Sequence, residues 1–292
     1  MAHHAKLLRL PDSGRLLVAA DLHGNLRDFL AVVARFERMG SQASLLFLGD
    51  LLHGPLLPPH DWTGERPLVG RYYRDESPAI LLGLQLLMER YPGRVHLLLG
   101  NHEHAHIGGP RTAVFARDEA AALDQRLGVE TAVWLSGFLK TLPLWALAPC
   151  GVLFSHAAPA AELARVEDLE TLDYRRFSAP QPASASGLRS KATKQLKPTE
   201  VAAKLLGQLL WGTTLQPFKA QALLGVVSAQ LMVYGHCVIP SGYQTIGFEQ
   251  FILSSSFAME DAQKTVLELD LSTTYFSAED FRVGSEIQPL YS

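Results

Sequence analysis

Cysteine is nearly absent: Cys150 and Cys237 are the only two in 292 residues. That is too few for the disulfide framework of a small secreted fold. Long apolar runs are missing too. None reaches the roughly 18 residues a membrane helix needs, so no membrane partner is expected. A basic excess is also lacking, with 26 Lys and Arg against 29 Asp and Glu and a net charge of −3. The pI is near 6.4, which argues against a nucleic-acid footprint. Met1-Ala2-His3-His4-Ala5-Lys6 leads directly into a strand pattern, with no secretory leader visible. The expectation is a cytoplasmic enzyme. No internal repeat of fixed period stands out. The chain is 48% hydrophobic and long enough to bury a full core.

What is present is one pattern, met five times. Leu97-Leu98-Leu99 runs into Gly100-Asn101-His102-Glu103. Leu16-Leu17-Val18-Ala19-Ala20 runs into Asp21-Leu22-His23-Gly24-Asn25, and Leu45-Leu46-Phe47-Leu48 into Gly49-Asp50. Gly151-Val152-Leu153-Phe154 runs into Ser155-His156, and Leu231-Met232-Val233-Tyr234 into Gly235-His236. Short apolar runs bounded by glycine predict buried strands. Each delivers Asp, His or Asn at its carboxyl end, where open α/β sheets place ligand sites. A buried histidine is often mere packing, and an aspartate after a strand is often a helix cap. Stability alone, however, does not call for imidazoles at strand ends of one polarity.

Between the strands the period changes. Asp12-Ser13-Gly14 predicts a hairpin turn before the first core strand. Leu26, Phe29, Leu30, Val33 and Phe36 recur at helical spacing, with Gly40 as the stop. Ser77-Pro78 predicts the next helix, Ser77 as its cap, with Ile80, Leu81, Leu84, Leu87 and Met88 on its core face. Helical patterns fill roughly 112–139, 199–210 and 217–229. Strands are expected around 144–154, 243–254 and 264–270, the last two completing a second sheet. The fold class is α/β, in one domain over 1–292. Two stretches break the pattern. Residues 55–75 form a loop long enough to be either a substrate-reading lid or a passive insertion. Residues 160–198 are low in bulky side chains and predict a mobile surface segment. Its Arg189, Lys191, Lys194 and Lys197 form either an anion-attracting run or a merely solvated one.

The candidate metal ligands are Asp21, His23, Asp50, Asn101, His156 and His236. Carboxylate, amide and imidazole donors without thiolate suit Mn, Fe or Zn better than a structural zinc cage. Six donors exceed the need of one tetrahedral ion. They hold two divalent ions if one carboxylate bridges them, and Asp50 is the natural bridge. Two ions about 3.5–4 Å apart clamp an in-line phosphoryl displacement, with a bridging hydroxide as the nucleophile. His102 follows Asn101 and, when protonated, can donate to the leaving oxygen.

These residues resemble the calcineurin-like dinuclear metallophosphoesterase pattern: Asp-x-His-Gly, Gly-Asp, Gly-Asn-His-Glu, His, Gly-His. Within it they are most similar to the phosphoprotein phosphatase branch, the serine/threonine phosphatases, and to its diadenosine-tetraphosphatase relatives. The likeness runs through Glu76–Glu103, Leu142-Pro143, Phe154–Pro159, Leu209-Leu210-Trp211 and Gly235–Tyr243, covering roughly 16–270. It implies a central β-sandwich of two mixed sheets flanked by helices. It also implies that Asp21, His23 and His236 share the first ion with bridging Asp50, that Asn101 and His156 complete the second, and that His102 is the general acid. Manganese is the first choice of metal, and a phosphoprotein or small phosphoester the expected substrate. Two departures stand out. His53 occupies the place of the aspartate that orients the family's general acid, and Gly54 that of its first phosphate-binding arginine. His53 either supports His102 or only packs. Arg71 and Arg74 either fold back as guanidinium forks for phosphate or face solvent. Three functions follow: a phosphomonoesterase of the protein phosphatase kind, a dinucleoside polyphosphate or other small phosphoester hydrolase, or a metal-binding interaction protein without catalysis.

Overall fold

The computed structural model describes residues 5–56, 58, 60, 70–158, 163–175, 198–213 and 215–291. Most of the expected 55–75 loop and of the 160–198 segment lies outside these residues. The first strands are β1 (Leu7–Arg9), β2 (Arg15–Ala19) and β3 (Ala43–Phe47), with helix α1 (Leu26–Arg38) between the last two. Helix α2 (Ser77–Arg90), strand β4 (Val95–Leu97) and the one-turn α3 (Asn101–His104) follow. Helices α4 (Glu119–Leu127) and α5 (Val129–Leu139) lead to β5 (Trp145–Ala148) and β6 (Val152–Ser155). The C-terminal part comprises α6 (Pro198–Trp211), α7 (Pro217–Val227), β7 (Leu231–Tyr234), β8 (Tyr243–Ile246), β9 (Gln250–Leu253), β10 (Thr265–Asp270) and β11 (Ile287–Pro289).

The strands form two mixed sheets, ordered β1-β5-β6-β7-β9-β8 and β11-β10-β2-β3-β4. Strands β2, β3 and β4 run parallel, as do β6 and β7. Side-chain alternation builds three layers. Leu16, Val18, Leu46 and Leu48 face Phe154, Val233, Phe251 and Leu253 across the middle of the sandwich. Their neighbours Leu17, Leu45 and Phe47 turn outward onto Phe29, Val32 and Phe36 of α1 and Ile80, Leu81 and Leu84 of α2. Because both faces of the central strands are covered, they read in the sequence as unbroken apolar runs.

Several local expectations are corrected. The turn at Asp12-Ser13-Gly14 closes no hairpin, because β1 and β2 belong to different sheets. Leu30 is exposed and Val32 is buried in its stead, since a three-and-four spacing from Phe29 passes through 32 and 36. Asn25 caps α1, its side chain accepting from Asp28 N–H. Ser77 caps nothing: it lies inside α2, donates from its hydroxyl to Asp75 and accepts from His53 N–H. Helix begins only at Glu119, not at 112. The C-terminal strands complete the second sheet only in part. β8 and β9 extend the sheet of β7, whereas β10 crosses over to pair with β2.

Candidate metal centre

All five strand-end motifs meet at one end of the sandwich. Asp21, Asp50 and Asn101 follow the parallel neighbours β2, β3 and β4; His156 and His236 follow the parallel neighbours β6 and β7. The two sheets are tied there by His156, whose Nδ1 lies 3.1 Å from Leu48 O, and by His236 N–H, which donates to the Asp21 carboxylate. The glycines before Asp50 and Asn101 are required by this closeness. A Cβ on Gly49, whose φ is +105°, would lie 2.8 Å from Gly100 N and 2.9 Å from His156 Nδ1. One on Gly100 would collide with Asp50 and Glu103.

The backbone is bent to aim the ligands. Asp21, His23, Asp50, His53 and His236 all have left-handed φ between +44° and +68°, and only Ser228 and Ala258 join them among described non-glycine residues. Each such residue carries about 1–2 kcal/mol of strain. The carboxylate of Glu103 supports the most bent stretch, accepting from Asp50 N, Leu51 N and Leu52 N at 2.8–3.0 Å.

Two groups of donors converge. In one, ligand atoms of His23, Asp50 and His102 lie within 4.8 Å of one another; in the other, those of Asp50, His156 and His236 do. Asp50 belongs to both. Its Oδ2 is 3.6 Å from His23 Nε2 and 3.5 Å from His156 Nε2. Asn101 Oδ1 lies 2.8 Å from His156 Nε2. Asp21 joins through the backbone of the last motif, both its oxygens accepting from His236 N–H. The structure thus brings together all six expected ligands. It groups His236 with His156, their ring centroids 5.1 Å apart, rather than with His23.

The chemistry of these donors fits cations. A carbonyl can only accept, so His23 Nδ1 carries the proton it gives to His53 O, and His156 Nδ1 the one it gives to Leu48 O. Each ring therefore turns a bare Nε2 lone pair toward the Asp50 carboxylate, the tautomer that metal-ligating imidazoles adopt. Burial keeps these rings and that of His236 neutral, lowering His156, and lowering His23 to about 4 and His236 to about 3. Lone pairs facing a carboxylate repel unless positive charge lies between them. The carboxylates report the same deficit. Burial and then the Asp50 charge raise Asp21 well above the usual range and Glu103 to about 7.

His102 differs from the other imidazoles. Burial alone would lower it, but Asp50 and then Glu119 raise it to about 9. Its Nε2 is 4.0 Å from Asp50 Oδ2, and its Nδ1 is 2.8 Å from Glu119 Oε2. Glu119 escaped the sequence analysis. It is an ordinary-looking first-turn acid of α4, far from any motif, and its contact to His102 is tertiary.

The remaining candidates stand apart. His53 makes no hydrogen bond to His102, and their ring centroids are 5.9 Å apart. Its Nε2 instead lies 2.9 Å from His106 Nε2, whose Nδ1 meets Asp124. Arg71 is exposed and pairs with Asp261, which Arg27 and Lys264 also share. Arg74 is exposed. Neither arginine is among the residues that converge on Asp50.

A family model for calcineurin-like phosphoesterases matches residues 14–236. The chain belongs to the calcineurin-like phosphoesterase family. It is accordingly a hydrolase of a dinuclear metal-dependent family, with candidate ligand groups in place. No curated protein sequence matches it. Its fold is similar to that of a Saccharomyces cerevisiae protein serine/threonine phosphatase with similarity to human phosphatase PP5. The two are 15% identical, over 91% of this chain and 77% of that one, at a TM-score of 0.60. It is also similar to a cold-active protein-tyrosine phosphatase of a psychrophilic Shewanella species. Identity there is 14%, coverage 93% and 78%, and the TM-score 0.55. Neighbours named for different phosphoamino acids share the fold, so the fold does not choose between them. No helix among the described residues is long and apolar enough to cross a membrane.

Proposed function

We propose that this phosphoesterase hydrolyses phosphomonoesters in the manner of serine/threonine protein phosphatases, with two divalent cations, manganese foremost. The observation that carries the reading is the double membership of Asp50, whose one carboxylate serves both donor groups beside His102. When bound, such a cation pair neutralises phosphoryl oxygens and acidifies water. The chain's own residues do the rest. His23 and Asp21 would hold one cation with Asp50, and His156, His236 and Asn101 the other. Glu103 fixes the backbone from which Asp50 projects. Phe115 and Phe257 pack on the His23 ring, at 5.6 and 4.8 Å between centroids, and screen that side from water. His102, between the carboxylates of Asp50 and Glu119, holds a proton at Nε2 for the leaving oxygen.

The test is turnover of a panel with and without added Mn2+: p-nitrophenyl phosphate, a phosphothreonine peptide, a phosphotyrosine peptide and diadenosine tetraphosphate. Manganese-dependent release of phosphate, highest from the phosphothreonine peptide, is the expected result. Preference for diadenosine tetraphosphate would replace it with the dinucleotide reading. Absence of turnover on every member, in protein shown to bind manganese, would leave a metal-binding interaction protein.

A further inference from the structure

An imidazole that protonates a leaving group needs its ring plane and tautomer fixed from behind, which a carboxylate at the other nitrogen achieves. In this chain position 53 has no carboxylate to offer, and His53 is turned to His106. Helix α4 fills the gap. Glu119, its first residue, is 3% exposed and places Oε2 2.8 Å from His102 Nδ1. They meet as an ion pair rather than an in-line hydrogen bond, and both atoms are buried without a hydrogen-bond partner. Contacts of this kind tighten as the transition state forms. The other oxygen of Glu119 accepts from Phe115 N–H at 2.6 Å, and Glu119 N–H donates to Thr112 O. Asp118 caps the helix by accepting from Ala121 N–H. One carboxylate oxygen is thus fixed by Phe115 N–H, the start of the helix that carries it is anchored, and the remaining oxygen faces His102.

We propose that Glu119 is the positioning residue for His102, supplied by a helix outside the metal motifs. The proposal rests on the reading of His102 as general acid. As the P–O bond breaks with both electrons on the leaving oxygen, His102 gives that oxygen its Nε2 proton. The water consumed supplies the new oxygen on phosphorus and the proton that restores the ring. Glu119 keeps Nδ1 protonated and the ring edge aimed throughout, and takes up no proton itself.

Leaving-group dependence separates this role from a structural one. Phenyl phosphate departs poorly and needs the acid; p-nitrophenyl phosphate departs well and needs it little. Glu119→Gln, with metal content and melting temperature measured alongside, is expected to lose about 10–100-fold in kcat on phenyl phosphate. On p-nitrophenyl phosphate it should lose less than about threefold. Glu119→Asp, which keeps the charge, should fall between the variant and the parent. In 15N-histidine spectra of the metal-free protein, the His102 Nδ1 resonance should shift in Glu119→Gln while those of His23 and His156 stay. Equal losses on both phosphates, or an unmoved His102 resonance, would overturn the proposal. His102→Ala distinguishes the two failures. If it shows the leaving-group dependence and Glu119→Gln does not, only the role of Glu119 falls. If His102→Ala lacks the dependence as well, the general-acid reading falls with it.

Discussion

Replacing Asp50 by asparagine removes the charge that both donor groups share while keeping the shape of the side chain. Asp50→Asn is therefore expected to lower bound manganese below two per chain and turnover by at least about a hundredfold. Metal analysis beside a phosphatase assay checks it, and a fully active variant would contradict the shared carboxylate. His102→Ala is expected to retain metal, while kcat on a poor leaving group such as phenyl phosphate falls by about 10²–10⁴. At this scale the sequence was legible wherever a ligand sat in a short motif. Asp21, His23, Asp50, Asn101, His156 and His236 each follow an apolar run within a few residues. Glu119 was not legible, because nothing local marks an acid in a helix's first turn as the partner of an imidazole 17 positions earlier. The departure at His53 did signal that some partner had moved, without saying where.

Strand ends and the turns after them set what each element tolerates. Glu103→Ala would leave the N–H groups of Asp50, Leu51 and Leu52 buried and unpaired. At 1–3 kcal/mol for each lost acceptor, the expected loss of stability is about 3 kcal/mol or more, read as a lower urea midpoint. Ser228, exposed at the end of α7 with a φ of +57°, gives the reverse sign. Ser228→Gly should raise stability by up to about 1 kcal/mol in the same experiment, because glycine adopts this conformation without strain. The elements themselves were legible from period. Doubly covered strands showed as apolar runs, and α1 showed its three-and-four spacing. Their partition between sheets was not. β9 and β10 look alike in sequence, and what separates them is the pairing of β10 with β2, some 250 positions away.

Taken whole, the metal-free protein should respond to pH through its buried histidines. Burial lowers His23 to about 4 and His236 to about 3, and lowers His53, His96, His104, His106 and His156 as well. Below pH 6.5 the unfolded chain takes up these protons and the folded one does not, so stability falls with pH. Glu103 and Asp21, raised in the fold, act in the opposite sense but are two against seven. His102, raised to about 9, contributes stability that is complete below 6.5 and lost as pH rises through 9. Melting temperature measured in EDTA should therefore peak near pH 6.5–7. Manganese at a hundred times its Kd should add about 2.7 kcal/mol at neutral pH, and adding a chelator should reverse the gain. A further consequence follows from the four left-handed candidate ligands and their neighbour at 53. A lineage bred only for endurance of heat would gain by turning them to glycine, and each such gain at a ligand would discard a chemical tool. Ser228 and Ala258 offer that relief at no such sacrifice, so the molecule's robustness and its reactivity can be inherited separately.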